Sequence, residues 1–192
     1  MKKFLFILLL CFQFASAQDS IPASKLADRK NEVRIDLLSL IASSKLNLTY
    51  ERFLGNRFSV GVTGNFSNGS KVNDEFEEGN RNNNPKYEVI PFVRYKLSEG
   101  MKSFYFAEVF AAANGGDFRE TVRKVDAFNN GYYTIEKSEY SDGAIGAGVG
   151  YKFYIKDRLG IELLVGFGWN LLDREKSPDV LSRVGLSVGY RF

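Results

Sequence analysis

The chain ends in Arg183-Val184-Gly185-Leu186-Ser187-Val188-Gly189-Tyr190-Arg191-Phe192, a stretch in which one residue of every pair is apolar and the other is small or charged. A period of two places Val184, Leu186, Val188, Tyr190 and Phe192 on one face of an extended strand and the small and charged residues on the other. Residues 159–170 repeat the pattern: Leu159, Ile161, Leu163, Val165, Phe167 and Trp169 alternate with Gly160, Glu162, Gly166, Gly168 and Asn170, and only Leu164 breaks it.

Working back from these two segments, the same alternation predicts strands near 140–155, 103–114, 86–97, 57–67, 45–53 and 31–40, eight in all. Helical periodicity is nowhere sustained. The connections carry a second signal: 54–57, 98–102 and 156–158 are tight, whereas 68–85, 115–139 and 171–180 are long. Short turns at one end and long loops at the other, with an even strand count, describe an all-β, eight-stranded antiparallel up-and-down transmembrane barrel with both termini periplasmic. The first outer loop, 41–44, is the exception in being short.

The amino terminus is different in kind. Lys2 and Lys3, an apolar run from Phe4 to Phe14, and Ala15-Ser16-Ala17 form a secretory signal over 1–17, too short to span a bilayer. A polar periplasmic leader follows over 18–30, and the barrel occupies 31–192. Cys11, the one cysteine, follows Leu8-Leu9-Leu10 rather than a small residue, so signal cleavage is expected over lipidation, and the processed chain has no thiol chemistry. The whole chain has 26 basic and 23 acidic residues; without Lys2 and Lys3 the net charge is +1, too little to attract nucleic acid.

Alternation does not say which face is outside. An eight-stranded barrel has room inside only for side chains, and the polar face is rich in Gly, Ser and Ala, so large apolar residues are expected outward against lipid. Aromatics gather near both expected interfaces as a girdle: Phe58, Tyr95, Tyr105, Phe153, Tyr190 and Phe192 at the periplasmic side, Phe66, Tyr87, Phe167 and Trp169 at the outer side. The polar face carries charges of both signs in mid-strand: Arg34, Asp36, Glu51, Glu88, Arg94, Glu108, Lys152, Glu162 and Arg183. A narrow lumen holds such charges only when they pair, which makes these residues candidates for an internal ion-pair network or gate.

The signal, the eight alternating segments and the closing Val188-Gly189-Tyr190-Arg191-Phe192 resemble the small outer-membrane barrels typified by the OmpA transmembrane domain and OmpX. The resemblance implies that Val184, Leu186, Val188, Tyr190 and Phe192 are the signal read by the barrel-assembly machinery. Leu46-Asn47-Leu48-Thr49-Tyr50-Glu51-Arg52-Phe53 and Pro91-Phe92-Val93-Arg94-Tyr95 also resemble outer-membrane proteins of Bacteroidetes, a likeness that brings no activity with it.

The remaining motifs have bland readings. Histidine is absent, so no Ser/His/Asp set can be assembled, and a non-enzymatic protein without cofactor or metal is expected. Gly143, Gly146, Gly148 and Gly150 run on into strand alternation rather than opening a helix, so they read as room in a crowded lumen rather than a dinucleotide loop. Residues 68–85 hold six asparagines and Asp74, Glu75, Glu77 and Glu78; a mobile solvated loop is expected, a calcium site being the rival without its ligand spacing. The sequons at Asn47, Asn65 and Asn68 are read as chance.

Residues 118–128 and 132–140 look like strands flanking Asn129-Asn130-Gly131, which predicts an extracellular hairpin projecting between strands five and six. The expected function is a non-enzymatic outer-membrane protein with a structural envelope role, its partners being outer-membrane lipid, the assembly machinery and an extracellular protein reached through 115–139. The rivals are a narrow passive pore gated by the lumen ion pairs and, with the facing reversed, a soluble periplasmic carrier.

Overall fold

The computed structural model describes residues 26–67, 69–173 and 175–192. The expected signal peptide, Cys11 and the first part of the leader lie outside the described residues. Eight strands, β1 (Asn31–Asp36), β2 (Lys45–Phe53), β3 (Phe58–Ser67), β4 (Asn83–Lys96), β5 (Ser103–Val125), β6 (Gly131–Ile155), β7 (Leu159–Asn170) and β8 (Val180–Arg191), form one closed antiparallel barrel in sequence order. Closure comes from β1 on β8, with Val33 opposite Tyr190 and Ile35 opposite Val188. Asn31 and Phe192 exchange backbone hydrogen bonds of 3.0 and 2.8 Å at the seam.

The start of β1, the end of β8 and the three tight turns share one end of the barrel, and the longer connections share the other. The β6–β7 turn is made by Lys156 and Asp157, both at positive φ (52° and 56°), the mirror-image turn whose twist matches paired strands.

Facing follows parity. Leu163, Val165, Phe167, Trp169, Val184, Leu186 and Tyr190 are exposed on the outer surface, while Glu162, Lys152, Glu51 and Arg94 are buried inside. The interior is not purely small and polar, however. Phe104, Phe106, Tyr154, Leu164 and Leu26 form one buried apolar cluster towards the terminal end, and Ile90, Phe92, Phe110, Ala112, Ala144 and Leu181 form another towards the loop end.

The glycines opposite make this fit. Phe106 pairs with Gly150 and Phe110 with Gly146, and a Cβ at either glycine would collide with the facing ring and with the backbone of β7. Large residues were expected outside because the lumen is narrow; paired ring-and-glycine positions let them inside at constant volume.

Three segments differ from the expected boundaries. β1 stops at Asp36 rather than running to 40: the Asp36 carboxylate accepts the Ser39 N–H at 3.1 Å and caps a short helix, α1 (Leu37–Ser43), which ends at Ser44 in the left-handed region. The 68–85 connection is not a plain loop, since α2 (Ser70–Glu77) lies within it and β4 starts at Asn83 with a bulge at Lys86. The hairpin expected around Asn129-Asn130-Gly131 turns slightly earlier, with β5 ending at Val125 and β6 starting at Gly131. Residues 126–130 make the loop, Asp126 accepts hydrogen bonds from the backbone of Phe128 and Asn130, and the positive φ falls on Asn129. Around that loop β5 and β6 pair without interruption from Ser103–Phe153 to Val125–Gly131, well past the ends of β7 and β8.

Candidate functional site

Alternation brings one charged side chain after another to the same depth of the lumen. β1 supplies Glu32 and Arg34, β2 Glu51, β4 Arg94, β5 Glu108, β6 Lys152, β7 Glu162 and β8 Arg183. Arg94 grips Glu162 with both terminal nitrogens at 2.8 and 2.9 Å, reaches Glu108 through Nε at 2.6 Å and Glu51 at 3.0 Å. Lys152 Nζ stands 2.9 Å from each of Glu32, Glu51 and Glu162. Arg34 bonds Glu32 at 2.9 Å and also Glu51, and Arg183 bonds Glu108.

Hydroxyls complete the layer: Ser59 donates to Glu51 and Tyr154 to Glu32, while Thr49 and Thr63 bond each other at 2.9 Å. Four acids meet four bases, so the layer is neutral, as an ion cluster shielded from water must be if it is not to oppose folding.

The carboxylates of Glu32, Glu51 and Glu162 come close enough to hold a metal, with one oxygen of each within 4.8 Å of the others. The cation already among them is the Lys152 ammonium, flanked by Arg34 and Arg94, so the donor set is matched without a metal ion. Aromatic rings sandwich the layer. The Arg94 guanidinium lies 4.5 Å from the Phe92 ring and 4.3 Å from Phe106, and Arg183 lies 4.9 Å from Phe110.

Two of the charges expected in the lumen network stand outside it. Asp36 caps α1, and Glu88 accepts a 2.6 Å hydrogen bond from Asn65; neither has an ion-pair partner among the described residues. Glu32, by contrast, was missed, although it shares the parity of Arg34 and is fully buried. The aromatic positions Phe58, Phe66, Tyr87, Tyr105, Phe167, Trp169, Tyr190 and Phe192 are exposed on the outer surface, and Tyr95 and Phe153 are half-buried. Phe58 packs edge-on to Tyr95 at 5.1 Å, and Tyr105 lies 4.8 Å from Tyr151, which stands two residues before Phe153.

At the loop end, Arg119 binds the carbonyls of Phe76 and Glu77, and Lys137 pairs with Glu77 at 2.6 Å, latching α2 to the long hairpin. Asp142, beyond the last β6–β7 pair, accepts hydrogen bonds from the Gly143, Leu171, Leu172 and Asp173 N–H groups and the Ser177 hydroxyl. Burial alone would raise its pKa, but these donors, Ser177 first, hold it below the ordinary carboxylate value of 3.8. The β7–β8 connection is therefore a folded strap tied to one carboxylate.

A family model described as "Protein of unknown function (DUF3575)" matches residues 3–181. The chain belongs to the DUF3575 family. Among solved structures this DUF3575 protein is similar to the N-terminal β-barrel domain of Pseudomonas aeruginosa OprF, at TM-score 0.50 and 11% identity over 85% of this chain and 98% of that one. It is also similar to Ail, the attachment invasion locus protein of Yersinia pestis, at TM-score 0.44 and 14% identity over 85% of this chain and 99% of that one. The OprF likeness is one of fold: a small closed β-barrel. No curated protein matches the chain.

Proposed function

We propose that this DUF3575 protein is a non-enzymatic integral outer-membrane barrel with a closed lumen, contributing to envelope structure and presenting its outer connections to partners. The observation that carries the reading is the neutral ionic layer, its charged side chains almost wholly shielded from water and bracketed by two aromatic clusters, which closes the barrel at mid-height. The exposed belt then meets acyl chains, because a barrel satisfies its own backbone and only side chains face the bilayer.

On this reading an exported chain places its termini and tight turns in the periplasm, the aromatic belts at the two interfaces, and β5 and β6 beyond the outer surface. The closing Val184, Leu186, Val188, Tyr190 and Phe192 serve assembly. The hairpin suits an encounter with an extracellular protein. On the β7 side, β6 from 131 to 141 has no ladder partner among the described residues, which suits its backbone to strand addition, and Arg123, Lys124 and Glu136 limit indiscriminate pairing.

Deleting 121–135 and rejoining Glu120 to Glu136 tests both halves. The shortened protein should still assemble, with heat-dependent gel mobility, and should lose surface binding; failure to assemble would remove the idea of a separable arm. The pore reading rests on a cavity of about 80 Å³ beside the ionic layer, lined by Lys45, Asn65 and Glu88 among others. Steady single-channel conductance altered by Glu51→Gln or Arg94→Ala would favour it over the packed core.

A further inference from the structure

β1 is six residues long, but its neighbours are longer: β8 runs from 180 and β2 from 45. The β1 ladders end at Asp36–Ser187 and Ile35–Leu48, so residues 180–186 of β8 and 45–47 of β2 have no β1 partner on that side. α1 lies in the resulting seam, against both strands. Its residues divide: Ser39 faces inward to a cleft, while Leu38, Leu40 and Ile41 are exposed, Ile41 at 82%.

Behind the seam lies a cavity of about 80 Å³ that reaches the ionic layer; Asp36, Ser39, Lys45 and Ser187 border it at the seam, and Glu88, Arg94, Glu162 and Arg183 line it deeper in the lumen. Two polar atoms of its lining are buried without a hydrogen-bond partner among the described residues: Nε of Arg34, 3.5 Å from Glu162, and Oδ1 of Asn65. A break in the backbone ladder at membrane depth is tolerated only beside protein or a polar cavity, and here the two coincide.

We propose that the β8–β2 seam is a lateral portal from the outer leaflet into this cleft, with α1 as its shutter, and that it takes an amphiphile with a zwitterionic head. The hydrocarbon chain continues the outward belt across Leu38, Leu40 and Ile41 of α1 and Leu46 and Val184 of the two strands that flank it, all exposed. The head enters the cleft, where Lys45 and Glu88 are charges of opposite sign with no ion-pair partner among the described residues, set to meet a phosphate and an ammonium. Arg34 Nε and Asn65 supply a spare donor and a spare acceptor. The space holds several waters or a few heavy atoms, not a chain, which leaves the hydrocarbon outside.

The inference rests on the belt meeting lipid, and that premise is read separately by detergent partition and heat-dependent gel mobility of the same preparation. The portal itself is tested by native mass spectrometry of the folded protein in a saccharide detergent with added lysophosphatidylethanolamine. One lipid per barrel should survive activation that strips the rest. Ser187→Trp, which fills the cleft opposite Asp36, should reduce retention roughly tenfold or more. Lys45→Gln with Glu88→Gln, which keeps the volume, should weaken it severalfold and covers the case in which Ser187→Trp does not fold. Absence of a retained lipid on the wild type, or equal retention on both variants, overturns the portal. So does equal competition by glycerophosphoethanolamine, which would show that the head binds without any contribution from the seam.

Discussion

The middle of the lumen and the raised hairpin use the same chemistry at opposite extremes of burial. Arg94 and Glu162 meet at 2.8 Å with side chains 3% and 2% exposed; Lys124 and Glu136 meet at 2.5 Å with side chains 49% and 45% exposed. In the lumen each charge has lost its water and depends on its partners, so the pairs act as one unit. On the hairpin each charge keeps its water, and the contact contributes little beyond solubility and edge protection. Distance alone would rank the two alike; burial decides which residues the fold cannot lose.

Arg94→Ala should therefore have the largest effect. It leaves Glu51, Glu108 and Glu162 short of a cation in a shielded lumen, and a loss of about 3–5 kcal/mol is expected in urea unfolding of the refolded protein. Substituting Arg94 and Glu162 together by apolar residues should cost less than the sum of the two single changes, since coupled charges are not additive. Equal and additive losses would make the layer a set of independent surface-like pairs.

Gly146→Val comes next. A side chain there meets the Phe110 ring and the β7 backbone, so about 1–3 kcal/mol of overpacking or failed assembly is expected, measured in the same unfolding assay. A matched change on the hairpin, Gly131→Val, meets only the flexible Arg123 side chain and should leave assembly intact.

How much of this contrast could be read from the residues depends on parity. Where one face was consistently apolar, as over 159–170 and 184–192, strand, facing and partner followed directly. In 103–112 both faces are apolar, because Phe104, Phe106 and Phe110 fill the lumen while Tyr105 and Val109 face out, so the internal aromatic clusters were hidden. Leu164, which broke the alternation of its strand, was itself a pointer to them.

Glu32 was legible from its spacing to Arg34. Asp36 was not, because its capping role depends on the chain leaving the sheet, a tertiary outcome that local alternation through Leu38 and Leu40 contradicted. The ties of Asp142 to 171–177 and of Arg119 to α2 link residues some 30 and 40 positions apart, and nothing local announces them.

The loop-end strap offers a smaller, pH-dependent effect. The Asp142 carboxyl is held below 3.8 in the folded protein, so the stabilisation is complete above that unfolded value and is lost as pH falls through the lower folded value. Hydrogen exchange at Leu172 and Asp173 should quicken, relative to β7, on going from neutral pH into that acid range. In Asp142→Asn the added acid sensitivity should vanish. Smallest of all, Lys124→Ala should leave unfolding and assembly unchanged within error, and a clear loss there would erase the distinction between lumen and hairpin.

The central claim is that the apolar side of each strand faces lipid while the ionic side is packed within. Its most direct test is a tryptophan scan along 161–169 in a Trp169→Phe background, with native Trp169 read on its own, in vesicles of chain-brominated phospholipid. Quenching should alternate, strong at 161, 163, 165, 167 and 169 and weak between them. Quenching that is uniform, absent, or strong at the even positions would contradict the account.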